Sequence, residues 1–524
     1  MVALAQMLAA CAGMWRVRRA AKPSDDRSLS AELALMWRSL LGDRRMLDFG
    51  QYGGQGPDIQ IVKGVGFGLD QQAMDAIAKW RFKPGTKDGV PVPVAANIES
   101  KLSLCSDLRR RRNYRIDYVE LAHRRLLRYI CEFGCGDSRN RQLTMKKLKT
   151  AVFGTGFMGR VHTEGIRRLG NVEVAAIAAS SDEKARKFGD EVGVARTTGD
   201  YRTLLSDPEI NAVHVCTPNA LHFPMVKAAL EAGKHVICEK PLAVSVAEGK
   251  QLVDLAKAKG LANCTFHNLR FYPIVQQIRR MRESGDLGEI YVVQGTYSQD
   301  WLLYDTDWNW RIDQVANGKS RVMADIGSHW CDMIEHVTGL RITSLCADLQ
   351  TFHKTRKRPK GSVETFSGKL AKPRDYEEVA IESEDFGAVL LRLGDRTRGA
   401  FTASQVSAGR KNGLMIEVYG SKCSAAWGQE KPDELWIGHR NEPNQLIVKD
   451  PSLLKESARG YADLPGGHSE GYDDTFKQLF RRFYRTVEDR AAPVEYPQFV
   501  DGLRQLQILE AELKSSAQHG WVDV

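Results

Sequence analysis

Residues 145–170 read MKKLKTAVFGTGFMGRVHTEGIRRLG. Residues 149–153 are a short apolar run with strand character, and 162–169 have the spacing of a helix. Between them Gly154, Gly156 and Gly159 form G-x-G-x-x-G. Glycines suit this position because the turn is tight and the backbone must approach a pyrophosphate closely. The helix start then offers unpaired N–H groups to the phosphates. A glycine pattern alone is weak. Lodged between strand and helix, it predicts a dinucleotide-binding βαβ unit.

The next apolar run, VEVAAIAAS at 172–180, predicts the second strand. NAD-binding versions place an acidic residue near its end to hold the ribose 2′-hydroxyl. This chain has Ala179, Ser180 and Ser181 there. Asp182 and Glu183 come later and open the following helix, capped by Ser181 or Asp182. Without that carboxylate a 2′-phosphate meets no repulsion. Ser180 can donate to it, with Lys184 or Arg186 in reach, and this tilts the expected cofactor from NAD toward NADP. The alternative is NAD held by backbone and serine contacts alone.

Two more strand-to-loop segments follow, AVHVCTPNALH at 212–222 and HVICEKPLA at 235–243. Lys240 stands at the end of the second, at the sheet edge where α/β ligands bind. In MADIGSHWCD, 323–332, Asp325 and His329 are four residues apart and would share one face of a helix. Taking hydride from a secondary alcohol requires a base for the hydroxyl proton and charge stabilisation on the oxygen. A carboxylate beside an imidazole orients it and supports its protonated form. An ammonium beside the alcohol oxygen polarises it. Asp332 and His336 extend the same helix, but no other ligand group accompanies them, so no metal site is expected.

With GTGFMG, TPNxxH, EKP and DIGSH in this order, the chain resembles the glucose–fructose oxidoreductase / inositol dehydrogenase / MocA (Gfo/Idh/MocA) family over residues 146–524. The resemblance implies an α/β fold with a Rossmann NAD(P)-binding domain, 145–266. A second, α+β domain, 267–524, would carry a large open, mostly antiparallel sheet for substrate binding and oligomerisation. It implies Lys240 as the catalytic lysine, His329 as acid/base, and Asp325 as partner of His329 or a ligand of substrate hydroxyls. The cofactor would be held by Gly154, Thr155, Gly156, Phe157, Met158, Gly159, Ser180, Thr217, Pro218, Asn219, His222, Glu239 and Lys240. Arg270, in FHNLRFYP, and His468, in GGHSEGYDD, match family positions near the active site.

On the substrate side, GEIYVVQGTYS alternates as a strand, and aromatic residues cluster from its end onward: Tyr297, Trp301, Tyr304, Trp308 and Trp310. Aromatic faces suit the C–H faces of sugar rings, while Asp305, Asp307 and Arg311 can hold hydroxyls. An aromatic core or oligomer contact is the equal alternative. Runs at 388–395, 397–407 and 414–421 read as strands, and 473–489 and 499–518 as amphipathic helices.

The whole chain has 524 residues, a length for about three domains. Its 43% hydrophobic and 27% charged residues exclude a collagen-like or wholly disordered chain. A net charge of +10 invites a polyanion-binding reading. Of the charged residues, however, 24 basic and 15 acidic fall in 1–144, leaving 51 and 50 for 145–524. The excess belongs to an irregular N-terminal extension. Within it, residues 68–104 read as a helix, 70–79, then an alternating strand after a Lys-Asp-Gly turn at 87–89. WRFKP with the following DGxPV resembles the C-terminal domain of TonB-type energy transducers. Residues 105–144 include Arg109 to Arg112 and read as a solvated linker, with a nucleic-acid or membrane-surface patch as the alternative. TonB domains work outside the cytoplasm and nicotinamide enzymes inside it. The extension is therefore expected to be disordered or foreign to the natural mature protein. The first apolar run is too short to span a bilayer, and its arginines follow it where a signal peptide needs them before. The ten cysteines include no CxxC pair, which fits a reducing compartment.

These readings converge on a cytoplasmic, homo-oligomeric enzyme that moves hydride between a sugar or cyclitol C–OH and NAD(P), with no nucleic-acid partner and no membrane role for 145–524. The alternatives are glycoside cleavage through transient oxidation, and a non-catalytic dinucleotide-binding regulator on the same fold.

Overall fold

A computed structural model describes residues 147–360 and 375–524, together with six short strands earlier in the chain. Two compact units are formed, Met1–Asn140 and Arg141–Val524. In the first, Arg16–Arg18, Ile98–Lys101, Arg45–Phe49 and Ile59–Ile61 pair in that order as an antiparallel sheet. Gly85–Lys87 and Val90–Val92 pair antiparallel. Lys87, expected in a turn, is the last residue of a strand, and Asp88 and Gly89 lie outside the described residues. The helix expected at 70–79 and the linker at 105–144 lie outside the described residues.

The second unit begins with a six-stranded parallel sheet. Its order is Asn263–Thr265, His235–Cys238, Ile210–Val215, Leu148–Phe153, Val172–Ala178, Thr197–Thr198. The central strands are apolar on both faces, with Ala151, Val152, Phe153, Val213 and Val215 fully buried, as helices on either side require. The chain runs outward from Leu148–Phe153 in one direction, then returns to its other side with Ile210–Val215. That reversal opens a crevice at the carboxyl ends of the two strands. Gly154 and Cys216 end the strands there, and their backbones lie in contact. The helix Phe157–Arg167 starts directly after the glycine turn, earlier than the 162 expected from apolar spacing.

Residues 290–523 build a nine-stranded sheet, with Ile290–Ser298 at its centre. Ile290–Ser298 runs parallel to Thr397–Ser404, and the other pairs are antiparallel. Strand alternation sends Val389, Leu391 and Leu393 inward and Leu390 outward. One face is covered by helices including Ser328–Thr338 and Phe499–Gln518. There Trp330 stacks on Phe401 with ring centres 4.4 Å apart.

The amphipathic helix expected at 473–489 is present as Tyr472–Glu488, and it packs against Phe157–Arg167. Phe476, Phe480 and Phe483 join the core beneath the parallel sheet. A Cβ on Gly165 would press on Phe476 and Phe480, so that glycine permits the close approach. The chain therefore builds its second sheet and then returns to complete the first domain.

Candidate active site

The crevice holds a cavity of about 580 Å³ lined by Gly154, Thr155, Gly156, Phe157, Met158, Ser180, Thr217, Pro218, Asn219, Glu239 and Lys240. Gly154 has φ +109°. A Cβ there would strike the carbonyl of Cys216, and one on Gly159 would strike the carbonyl of Gly154. Gly159 thus lines no wall and lets the turn close from behind. Gly156 caps Phe157–Arg167 with no side-chain hydrogen bond, leaving first-turn N–H groups for an anion. The cradle fits a dinucleotide pyrophosphate. Gly159→Ala is expected to weaken dinucleotide binding by about tenfold or more, ~1.4 kcal/mol, measured by fluorescence titration with NADH and NADPH.

His222 does not line the cavity. It is buried, with Nδ1 2.7 Å from the Pro241 carbonyl oxygen and Nε2 2.9 Å from that of Thr217. It ties together the two loops that carry Thr217 and Lys240. At the far end of the cavity, Ser180 Oγ accepts from Lys184 Nζ at 3.4 Å, and Tyr201 and Arg202 complete the wall. Ser181 is the residue that caps the following helix.

A second cavity, about 530 Å³, adjoins the first and shares Phe157, Met158, Glu239, Lys240 and Arg311 with it. Asp325, His329, Trp301, Asp307 and Trp308 line it. Lys240 Nζ donates to Asp325 Oδ1 at 2.9 Å and to the Asp325 carbonyl. Arg311 Nε donates to the same Oδ1 at 3.1 Å, and Gln405 donates to Oδ2 at 2.8 Å. Burial pushes the Asp325 carboxyl upward, but Lys240 and Arg311 outweigh it and hold the group well below the usual carboxylate range.

Asp325 and His329 share no hydrogen bond and act on each other only through charge. Met323–Gly327 is one turn of π-helix leading into Ser328–Thr338, so the four-residue spacing does not follow an α-helical face. Both oxygens of Asp325 are taken by Lys240, Arg311 and Gln405. His329 Nδ1 is buried without a partner, and its ring lies edge-on to His267, 5.7 Å between centres. Burial first, then Lys240 and His267, push its pKa well below the ordinary value. The imidazole is therefore neutral and able to accept a proton.

The remaining candidates divide. Trp310 lines the first cavity instead of the second, under the Arg311 guanidinium at 4.5 Å. Trp301 and Trp308 line the second while packing on Leu302, Ile312 and Ile381, so cavity wall and small core are one structure. Arg270 lines neither cavity; it forms ion pairs with Asp332 and Asp501. His468 also lies outside both, in a loop whose carbonyls accept from the buried Lys449. Asp305 pairs with Lys357 at 2.9 Å. Tyr297, of the aromatic cluster, also lines the second cavity; residues not singled out from sequence include Gln405, which fixes Asp325, and Asn412 and Tyr472 in the wall of the second cavity. They come from segments distant in sequence, with no local motif. Among the described residues no group of three or more His, Cys, Asp or Glu could hold a metal.

A phosphate cradle at a switch point, opening onto a pocket with a lysine–carboxylate pair and a neutral histidine, defines a nicotinamide-type oxidoreductase. Comparison with known proteins agrees. Residues 148–267 match the model for an oxidoreductase family with an NAD-binding Rossmann fold, and 275–426 match the GFO/IDH/MocA C-terminal domain. The chain belongs to the Gfo/Idh/MocA family and is an oxidoreductase. Residues 53–102 match the Gram-negative bacterial TonB protein C-terminal model, beginning before the stretch read from sequence. Levoglucosan dehydrogenase from Pseudarthrobacter phenanthrenivorans is 28% identical over 404 residues, covering 72% of this chain and 99% of that protein. A solved levoglucosan dehydrogenase complex with NADH and levoglucosan superposes with TM-score 0.65 at 27% identity, over 72% of this chain and 99% of that one. An inositol dehydrogenase homologue from Azotobacter vinelandii, complexed with NADH and myo-inositol, gives 0.63 at 28%, over 72% and 98%.

Proposed function

We propose that the enzyme interconverts a ring C–OH of a sugar or cyclitol with the corresponding ketone. The observation that carries this is the Lys240–Asp325 pair beside neutral His329 where the two cavities meet. The nicotinamide supplies the hydride acceptor or donor when bound in the first cavity. His329 takes the hydroxyl proton at Nε2, because Nδ1 is sealed in the core. Lys240, held by Asp325, stabilises negative charge on the substrate oxygen. Trp301 and Trp308 present ring faces to the sugar, and Asp307 and Arg311 bind hydroxyls. The relatives acting on levoglucosan and inositol support this substrate class. A screen of sugars, cyclitols and glycosides with both cofactors tests it. Reduced nicotinamide formed with a ring ketone is expected. Release of an aglycone without net reduction would favour glycoside cleavage instead.

NADP is the proposed cofactor. No carboxylate ends the strand Val172–Ala178, and Ser180, Lys184 and Arg202 line that end of the cavity, with Asp200 as the opposing charge. Ser180→Asp is expected to invert the ratio of kcat/KM for NADP and NAD by about ten- to hundredfold. That is the ~1.5–3 kcal/mol of a hydrogen bond to a charged group. A wild-type preference for NAD would overturn this choice.

The outer face of the nine-stranded sheet exposes Tyr291, Val292, Leu390 and Met415. An apolar face of this kind marks a protein interface, and a homo-oligomer through it is proposed. A monomer in sedimentation at micromolar concentration would contradict it. Cys216, Cys238, Cys264, Cys331, Cys346 and Cys423 are free thiols, which supports a cytoplasmic location. Among the described residues no helix is long and apolar enough to cross a membrane.

A further inference from the structure

Between the strand Ile290–Ser298 and the single turn Trp310–Ile312 the chain forms neither helix nor strand. This loop carries Trp301, Asp307 and Trp308, which line the second cavity. Without a helical or sheet ladder, its backbone groups need partners from elsewhere. Arg356, a buried residue of the strand Thr355–Pro359, supplies several. Its Nη1 donates to the Tyr304 carbonyl at 2.8 Å and to the Asp307 carbonyl at 3.3 Å. Its Nη2 donates to the Leu302 carbonyl at 2.9 Å and to Asp385 Oδ1 at 2.7 Å. Four of the five guanidinium N–H groups are thus engaged, and only that of Nε is left over.

Asp385 is buried as well, and it reaches toward the other wall of the pocket. Its Oδ1 also accepts from Arg321, which stands just before the turn Met323–Gly327 that carries Asp325. Its Oδ2 accepts from the backbone N–H groups of Phe352 at 2.7 Å and His353 at 3.0 Å. Its carbonyl accepts from the Gln405 N–H at 3.1 Å, and the Gln405 side chain donates to Asp325 Oδ2. The Gln405 carbonyl in turn accepts from the Leu302 N–H at 3.2 Å. One buried aspartate therefore ties the aromatic loop and the Asp325 turn into a single frame.

We propose that Arg356 is a positioning residue for the reacting pocket: through Leu302, Tyr304 and Asp307 it sets the wall formed by Trp301 and Trp308 at a fixed distance from Asp325 and Lys240. The kinetic consequence rests on the proposed hydride chemistry; the clamp on the loop does not. The position calls for a guanidinium, because a planar fork presents donors in several fixed directions at once, whereas an ammonium is one point charge on a flexible stem. A loop that bears binding residues gains its precision from such a scaffold.

Arg356→Met and Arg356→Lys in the full chain test this. The Met variant should fold, because Asp385 keeps Arg321 and two backbone N–H groups. Its kcat/KM for the ring alcohol should fall by about 10–10²-fold, as a misplaced pocket wall implies. The loss should lie chiefly in a raised sugar KM, with NAD(P)H affinity unchanged in a fluorescence titration. A merely structural defect would shrink the active fraction, lowering kcat and leaving KM alone. Arg356→Lys keeps a charge for Asp385 without the fork, and should show the same raised KM. Hydrogen exchange read by mass spectrometry, with no substrate present, follows the loop itself. Amides in 302–307 should exchange about tenfold or more faster in both variants, as losing one hydrogen bond to a charged group implies. Exchange in Phe157–Arg167 should stay as in the wild type. If the wild type oxidises no sugar or cyclitol, the hydride chemistry falls and the exchange result alone decides the clamp. Unchanged exchange at 302–307 would overturn the proposal, as would a wild-type sugar KM in either folded, active variant.

Discussion

Lys240→Ala is expected to lower kcat by about 10²–10⁴-fold, the range for losing one charge-stabilising or proton-handling group. Removing one partner of a buried ion pair often unfolds the protein, because the other charge is left alone. Here that confounding effect is small. Asp325 keeps Arg311 at 3.1 Å and Gln405 at 2.8 Å after Lys240 is gone. The variant should therefore fold, and NAD(P)H titration by fluorescence should still show binding. Stopped-flow measurement of the hydride step then separates chemistry from cofactor affinity. Full turnover in a folded Lys240→Ala protein would sink the assignment of the site.

His329→Asn should show a loss of similar size, about 10²–10⁴-fold in alcohol oxidation, with a distinctive pH signature. Burial and Lys240 depress the His329 pKa well below its ordinary value. A base with a depressed pKa remains unprotonated, and so active, as pH falls through the usual histidine range. Wild-type kcat/KM for oxidation should consequently show no His329 limb near 6.5 and should fall only at lower pH. In His329→Asn that lower limb should disappear along with most of the rate. A wild-type limb at the ordinary histidine value, lost in the variant, would mean His329 is solvated and the site is built differently.

Much of the site was readable because its parts are local. The glycine turn depends on contacts among neighbours in sequence, so spacing alone placed Gly154 and Gly159. The EKP and DIGSH motifs each bring one charged group to a strand or helix end, and both groups line the second cavity. Spacing failed where chain geometry departed from the regular helix. Asp325 and His329 were read as an α-helical pair, and the π-turn Met323–Gly327 instead turns Asp325 to Lys240. Trp310 and Arg311 were read with the sugar-facing aromatics, yet both reach the dinucleotide cavity.

The sequence by itself determined the parallel sheet, its phosphate turn, and the charge split that sets 1–144 apart from a nearly neutral oxidoreductase. Those follow from local periodicity, from glycine sterics and from composition, which need no knowledge of distant partners. Only the tertiary structure decided which side chains meet. Lys240 joins Asp325 across 85 positions, and His214 joins Tyr484 across 270. No local pattern encodes such meetings. They arise because Tyr472–Glu488 returns to the first domain and buries its aromatic face there, where each polar group, removed from water, must find a partner within the fold.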